Sequence, residues 1–263
     1  MIEFILNLKV RNECLFQFGT INFILALFFL GLTKYSNMQL NNISAWFKPF
    51  KFASSIGLYS WTMAWYCFYL PNFNIILFNY SVIILLGFEI IYIALQASKG
   101  QLSHFNISTP LYSTLFFFMG FAASVISAYT GFVGYLFFIH QFPELPEYYV
   151  WAIRLGIIIF VVFSFEGFLM GSRLSHTIGG KDGSPGIPIL NWSKKFGDPR
   201  IAHFIGMHAL QVLPFLAFYF LKNTYAVFII SILYGLLATF TLAQAIKGKP
   251  LFKESKKQIE ERE

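Results

Sequence analysis

Charge is scarce in this chain. Asp and Glu number 12 and Lys and Arg 19 among 263 residues, so 12% of positions are charged, against about 25% in a soluble domain. Cysteine is nearly absent: two residues cannot build a disulfide framework. Glycine (19) and proline (10) show no excess, which excludes collagen-like and low-complexity architectures. The glycines between 179 and 186 follow no predicted strand, so they match neither a dinucleotide fingerprint nor a phosphate-binding loop. What is abundant is apolar mass: 57% hydrophobic, 20% aromatic, mean hydropathy +0.62. That balance excludes disorder and leaves a bilayer-embedded protein.

A helix needs about 20 apolar residues to cross a hydrocarbon core of about 30 Å. Seven stretches qualify: 15–33, 52–70, 75–97, 112–138, 149–171, 201–221 and 224–246. They are continuous runs and lack the short alternation of a membrane barrel, so the expected class is an all-α polytopic transmembrane bundle. Residues 1–246 read as one seven-helix domain and 247–263 as a charged tail. The first run, with Lys9 and Arg11 ahead of it, resembles a secretory leader. It is too long, and Thr33-Lys34-Tyr35-Ser36 supplies no small-residue cleavage site, so a retained helix is expected.

Seven spans place the two ends on opposite sides. One side would hold Lys34, Lys48, Lys51, Lys99, Arg173, Lys181, Lys194, Lys195, Arg200 and the six basic residues of the tail. The other side would hold Lys9, Arg11 and Lys222, while Arg154 lies inside a span. The positive-inside rule then puts the N-terminus outside and the C-terminus in the cytoplasm. The lipid bilayer is the expected partner. The surplus of positive charge (+7) is explained by topology and anionic headgroups, so no nucleic acid is implied, and no soluble protein partner is indicated. Cys14 and Cys67 both fall near the outer face and read as two unrelated thiols, with a bridge as the alternative.

Two loops stand out. Trp46-Phe47-Lys48-Pro49-Phe50-Lys51 reads as an amphipathic, interfacial lead-in to the second span. Residues 172–200 form the longest connection, rich in turn formers, and end in Asp198-Pro199, an N-cap and first-turn pair for the sixth span. A loop of that length among minimal joints points to function.

Ionisable side chains within a bilayer are costly, so each is a functional candidate. With about 1.5 Å of rise per residue, Glu89 of the third span and His208 of the sixth fall at the same depth, about 12 Å from the cytoplasmic side. Glu166 and His203 lie nearer that surface, and His104 and His176 on its rim. His203 and His208, five apart, point about 140° from each other and would not chelate one ion from a regular helix. Gln96 shares a face with Glu89, and Gln211 with His208. The expectation is one pocket in the cytoplasmic half. Glu89 and Glu166 would be its acid–base groups, Gln96, Gln211 and Asn106 its substrate contacts, and His208, His203, His176 and His104 its metal ligands. Imidazole and carboxylate suit Zn or Fe, and a histidine could serve haem. The same groups could equally be interhelical hydrogen-bond glue.

Trp46 to Phe52, Ser103-His104-Phe105-Asn106-Ile107-Ser108-Thr109-Pro110, and the run from Asp182 to Pro214 containing His203-Phe204-Ile205-Gly206-Met207-His208-Ala209-Leu210-Gln211 resemble a group of uncharacterised bacterial multi-pass membrane proteins. The resemblance spans most of the chain; it implies a bacterial inner-membrane setting and no activity. Microbial rhodopsins are unlike it, because residues 224–246 contain no lysine. Ser172 and His176 match the Ser-x-x-x-His element of the hydrolase superfamily that includes alkaline ceramidases, but the final span lacks that superfamily's His-x-x-x-His. Three readings follow: a metal- or haem-dependent membrane enzyme acting on a lipid-like or redox substrate, a proton-coupled small-molecule transporter, or a non-catalytic sensor or assembly protein. The transporter should show helices broken at Gly or Pro and a path leading outward; Pro214 and Gly206 offer a break in the sixth span, but the outer half is poor in polar residues.

Overall fold

The computed structural model describes residues 2–40, 43–183 and 186–252. The tail beyond 252 lies outside the described residues. The described residues are mostly helical, and the chain divides into two compact units, Met1–Glu144 and Leu145–Glu263. Six helical stretches among the described residues are long and apolar enough to cross a membrane: Glu13–Tyr35, Ile75–Ser98, Pro110–Ile139, Glu147–Arg173, Arg200–Leu221 and Thr224–Ile246.

The first unit opens with a short amphipathic helix, α1 (Ile2–Arg11), followed at once by α2 (Glu13–Tyr35). Asn12, between them, accepts the Leu15 N–H at 3.1 Å and so caps α2. Its amide also exchanges two hydrogen bonds, 2.9 and 3.0 Å, with the buried amide of Asn79. Arg11 lays its guanidinium over Trp65 at 3.6 Å, with Phe68 and Tyr69 beside it. Two short antiparallel strands, β1 (Gln39–Leu40) and β2 (Ile43–Ser44), precede α3 (Phe47–Cys67), whose first residues are those of the expected lead-in.

Helix α3 covers most of the expected second span, and its 21 residues give about 31 Å of rise. It is nevertheless not among the six apolar spans. Its sequence carries serines, Tyr59, Thr62 and tryptophans, and it is the helix of this unit with the most buried residues. Its hydroxyls return to its own backbone: Ser54 to Phe50, Ser60 to Ile56, Thr62 to Leu58. Tyr59 bonds Thr130 of α5 (Pro110–Ile139) at 2.8 Å. Small residues bring α2 against α3: a Cβ on Gly19 would strike the Trp61 indole, and one on Gly57 would stand 2.9 Å from the Phe23 ring. Ala26, Phe29, Ala53, Ile56 and Ile90 close the core between α2, α3 and α4 (Ile75–Ser98). The two cysteines are free, Cys14 exposed and Cys67 buried.

The second unit contains α6 (Glu147–Phe165), α7 (Gly167–Arg173), α8 (Arg200–Leu216) and α9 (Thr224–Ile246). Helices α6 and α8 meet closely. A Cβ on Gly156 would sit 2.8 Å from the Ala209 carbonyl, and one on Gly206 would run into the Phe163 ring. Small residues at crossings are the usual route to close packing in lipid, where no hydrophobic drive separates helix from solvent. Two interruptions mark this unit. At Glu166, between α6 and α7, the helix loosens into a turn: its backbone keeps helical angles (φ −56°, ψ −28°) and its N–H still reaches the Val162 carbonyl at 3.2 Å, while the Leu169 N–H donates back to its carbonyl at 2.9 Å. Beyond Pro214, α8 widens into a π-helical turn, Ala217–Leu221, closed by Lys222 N–H to the Ala217 carbonyl at 3.1 Å.

The Asn12–Asn79 pair makes a direct prediction. Asn79→Ala should cost about 1–2 kcal/mol by leaving one buried amide unsatisfied. Asn12→Ala should cost more, because a helix cap is lost as well. Thermal unfolding of the single and double variants in detergent should show non-additive losses, since the two amides serve each other.

Candidate functional site

Helix α6 delivers Glu166 to its end, at the turn that precedes Gly167. Helix α8 delivers His203 from its first turn, three residues after Arg200. The close approach of α6 and α8 brings the two together, with His203 Nδ1 3.3 Å from Glu166 Oε2. The Glu166 side chain is 6% exposed. Both its oxygens and His203 Nδ1 are buried without a hydrogen bond, so the pair is within ion-pair distance yet out of hydrogen-bond alignment. Gly167 leaves room for the imidazole: a Cβ there would lie 3.3 Å from His203 Cε1. A buried carboxylate facing a buried imidazole nitrogen, with neither satisfied by backbone, is a place to hold a proton.

His208 points elsewhere. Its Nδ1 lies 2.7 Å from the Phe204 carbonyl. A carbonyl only accepts, so Nδ1 carries the proton and Nε2 presents the lone pair. The ring also lies tilted against Phe204, centroids 4.1 Å apart, and Phe204 meets Trp192 of the long loop at 5.5 Å. Gln211, one turn on, is half-buried.

His176 lies in that loop, where its backbone N–H donates to both oxygens of Asp182, at 3.1 and 2.8 Å. Ser175 and Thr177 hydroxyls donate to the same carboxylate at 2.9 and 2.7 Å. A second knot lies at the far end. Asp198 accepts the Ser193 N–H at 2.8 Å, the Arg200 N–H at 3.2 Å and Arg200 Nε at 2.8 Å, while Arg200 Nη2 reaches the Asn191 carbonyl. Asp198 thus serves the start of α8 from one residue outside the Pro199 cap position.

In the first unit, Glu89 is 5% exposed within α4, and the ammonium of Lys48 is the opposite charge acting on it. Gln96 is 2% exposed, two turns along the same helix. His104 packs its ring edge-on to Phe52 at 5.4 Å. The Asn106 side chain is spent on its own loop: it donates to the Leu102 carbonyl and accepts from the Ser108 N–H and hydroxyl. Among the described residues, no three His, Cys, Asp or Glu side chains gather into a group that could hold a metal ion. Comparison of the chain with family models, with curated proteins and with solved structures gave no match.

Sequence reasoning had no signal for Lys48 as the countercharge of Glu89, because its aromatic neighbours read as an interfacial anchor. It also missed Asp182 as the organiser of the loop, although an Asp among Ser, Thr and Gly is a turn former. Burial works against the Asp182 charge, but the donated hydrogen bonds outweigh it and hold the carboxyl below its usual range. A depressed carboxylate stabilises above its unfolded pKa of about 3.9, and that contribution is lost as pH falls through the folded value. Measured against the intrinsic exchange rate at each pH, the His176 and Thr177 amides should therefore be protected at neutral pH and lose that protection in acid below the ordinary Asp range. Asp182→Ala should raise exchange about fivefold at neutral pH, as befits a partly exposed knot worth about 1 kcal/mol.

Proposed function

We propose that this chain is a proton-coupled carrier for a small solute, crossing a bacterial inner membrane seven times with its N-terminus outside and its C-terminus in the cytoplasm. The observation that carries the reading is the Glu166–His203 pair, 3.3 Å apart with side chains 6% and 30% exposed, at a turn within a helical stretch long and apolar enough to cross a membrane. Discontinuous helices at a buried ionisable group are how carriers expose a binding position without leaving backbone unsatisfied in lipid. The π-helical turn beyond Pro214 adds a second interruption on the neighbouring helix. Seven crossings follow if α3, which has the length but not the hydropathy, spans as the sheltered helix of its unit. The basic surplus on one side of that topology supports the orientation.

The chemistry is a proton exchange between two sites. With the proton on His203 the pair is an imidazolium beside a carboxylate; with the proton gone, the carboxylate faces a neutral ring. A solute that binds one state better than the other is coupled to the proton by that difference alone. The metal- or haem-dependent enzyme would draw on the same two side chains. Its remaining ligands, His176, His208 and His104, have the separate surroundings described above.

Reconstitution tests this. In vesicles containing a trapped pH dye, an inside-negative potassium diffusion potential should drive protons inward through the wild-type protein faster than in empty vesicles. Glu166→Gln should lower that rate by about tenfold or more, the scale on which one essential proton acceptor acts, and His203→Asn should lower it as well. The reading is overturned if the wild type never exceeds empty vesicles, with or without external amino acids, sugars, nucleosides or organic cations.

A further inference from the structure

The connection between α7 and α8 ends in an apolar hairpin on a basic base. Gly186 and Ser193 pair across it. Inside, the Ile187 N–H donates to the Trp192 carbonyl at 2.9 Å and the Asn191 N–H to the Ile187 carbonyl at 2.7 Å. The tip is Pro188-Ile189-Leu190. Ile189 stands at φ +67° and is 50% exposed. A β-branched residue in the left-handed region is strained, and its apolar side chain faces outward as well. An exposed, strained isoleucine at a loop tip is unfavourable in water, so the tip points to an environment other than water.

The height of the hairpin relative to its own unit is defined. Gly197 fits against the Ala245 carbonyl so tightly that any Cβ would overlap it, and a Cβ on Gly179 would lie 3.4 Å from Gly248 Cα. The base of the loop is therefore held against the last turn of α9, one of the membrane-crossing helices. That is the level at which hydrocarbon gives way to headgroups. Lys194 and Lys195 follow the tip, and Lys247 and Lys249 are exposed at the same end of α9.

We infer that the Ile187–Trp192 hairpin binds anionic phospholipid in the leaflet on its own side of the membrane. Ile189 enters the tops of the acyl chains, Trp192 sits at the interface, and Lys194 and Lys195 hold acidic headgroups. Charge complementarity and the loop's attachment to a span end select this occupant. The inference needs only that the helices span a membrane, and it stands or falls separately from the proton pair.

The test uses full-length protein carrying Cys14→Ser, which leaves only the buried Cys67, with Ile189→Cys bearing a spin label. In vesicles containing phosphatidylglycerol the label should be shielded from water-soluble relaxants and open to oxygen. In pure phosphatidylcholine, or with Lys194→Glu and Lys195→Glu added, it should read as water-exposed. Without any label, native mass spectrometry of the wild type should show retained phosphatidylglycerol, with affinity falling about fivefold per lysine reversed. A label environment identical in the two vesicle types, wet or lipidic, overturns the inference, as does unchanged phosphatidylglycerol retention in the charge-reversed protein.

Discussion

Lipid offers no hydrogen bonds, so a chain that crosses it must satisfy its polar groups from within. The helices of this protein obey that constraint in detail. Ser54, Ser60, Thr62, Ser81, Ser124, Ser127, Thr130 and Ser164 each turn the hydroxyl back to a carbonyl one turn earlier. Asn12, Asn74, Thr109 and Asn223 close the N-termini of α2, α4, α5 and α9 with side-chain caps. Tyr234 gives its hydroxyl to the Ile205 carbonyl at 2.6 Å. Against that background the exceptions stand out: Asn22 Oδ1, Ser231 Oγ and both Glu166 oxygens are buried without a hydrogen bond, and of these only the Glu166 carboxylate lies at ion-pair distance from another ionisable side chain.

The same constraint explains what was legible in the sequence. Six helices follow from continuous apolar runs, and their ends lie within a few residues of the expected spans, because lipid-facing surface is written directly in composition. Helix α3 was legible as a helix but not by hydropathy as a span. A helix sheltered by its neighbours can carry Ser54, Ser60 and Tyr59 inward, so its average no longer reports its surroundings. The turn at Glu166 was not legible. Gly167 beside it is one glycine among several, and only the packing of His203 shows why a side chain there would be unwelcome.

The candidate pocket was read by depth, and depth is only half of a position. Counting rise along each helix placed Glu166 and His203 both near one surface, and the tight α6–α8 crossing at Gly156 and Gly206 supplied the missing azimuth. His208, five residues on, faces a different direction, as its angular offset implied, and spends its Nδ1 proton on Phe204. Asn106 reads in sequence as a polar residue near a histidine. In the structure it is a turn former whose amide is consumed by Leu102 and Ser108. Short polar side chains in loops more often serve their own backbone, and sequence alone does not separate the two uses.

The two carboxylates buried in membrane helices invite comparison, since each follows a phenylalanine and precedes a Leu-Ser-His segment. Their settings differ in the one respect that matters for chemistry. Glu89 lies inside an uninterrupted helix and is 5% exposed. Glu166 sits at a turn near the end of its apolar stretch and faces the His203 imidazole at 3.3 Å. The second unit thus sets its carboxylate against a second ionisable side chain from a neighbouring helix, whereas the first unit encloses its carboxylate within the length of one unbroken helix.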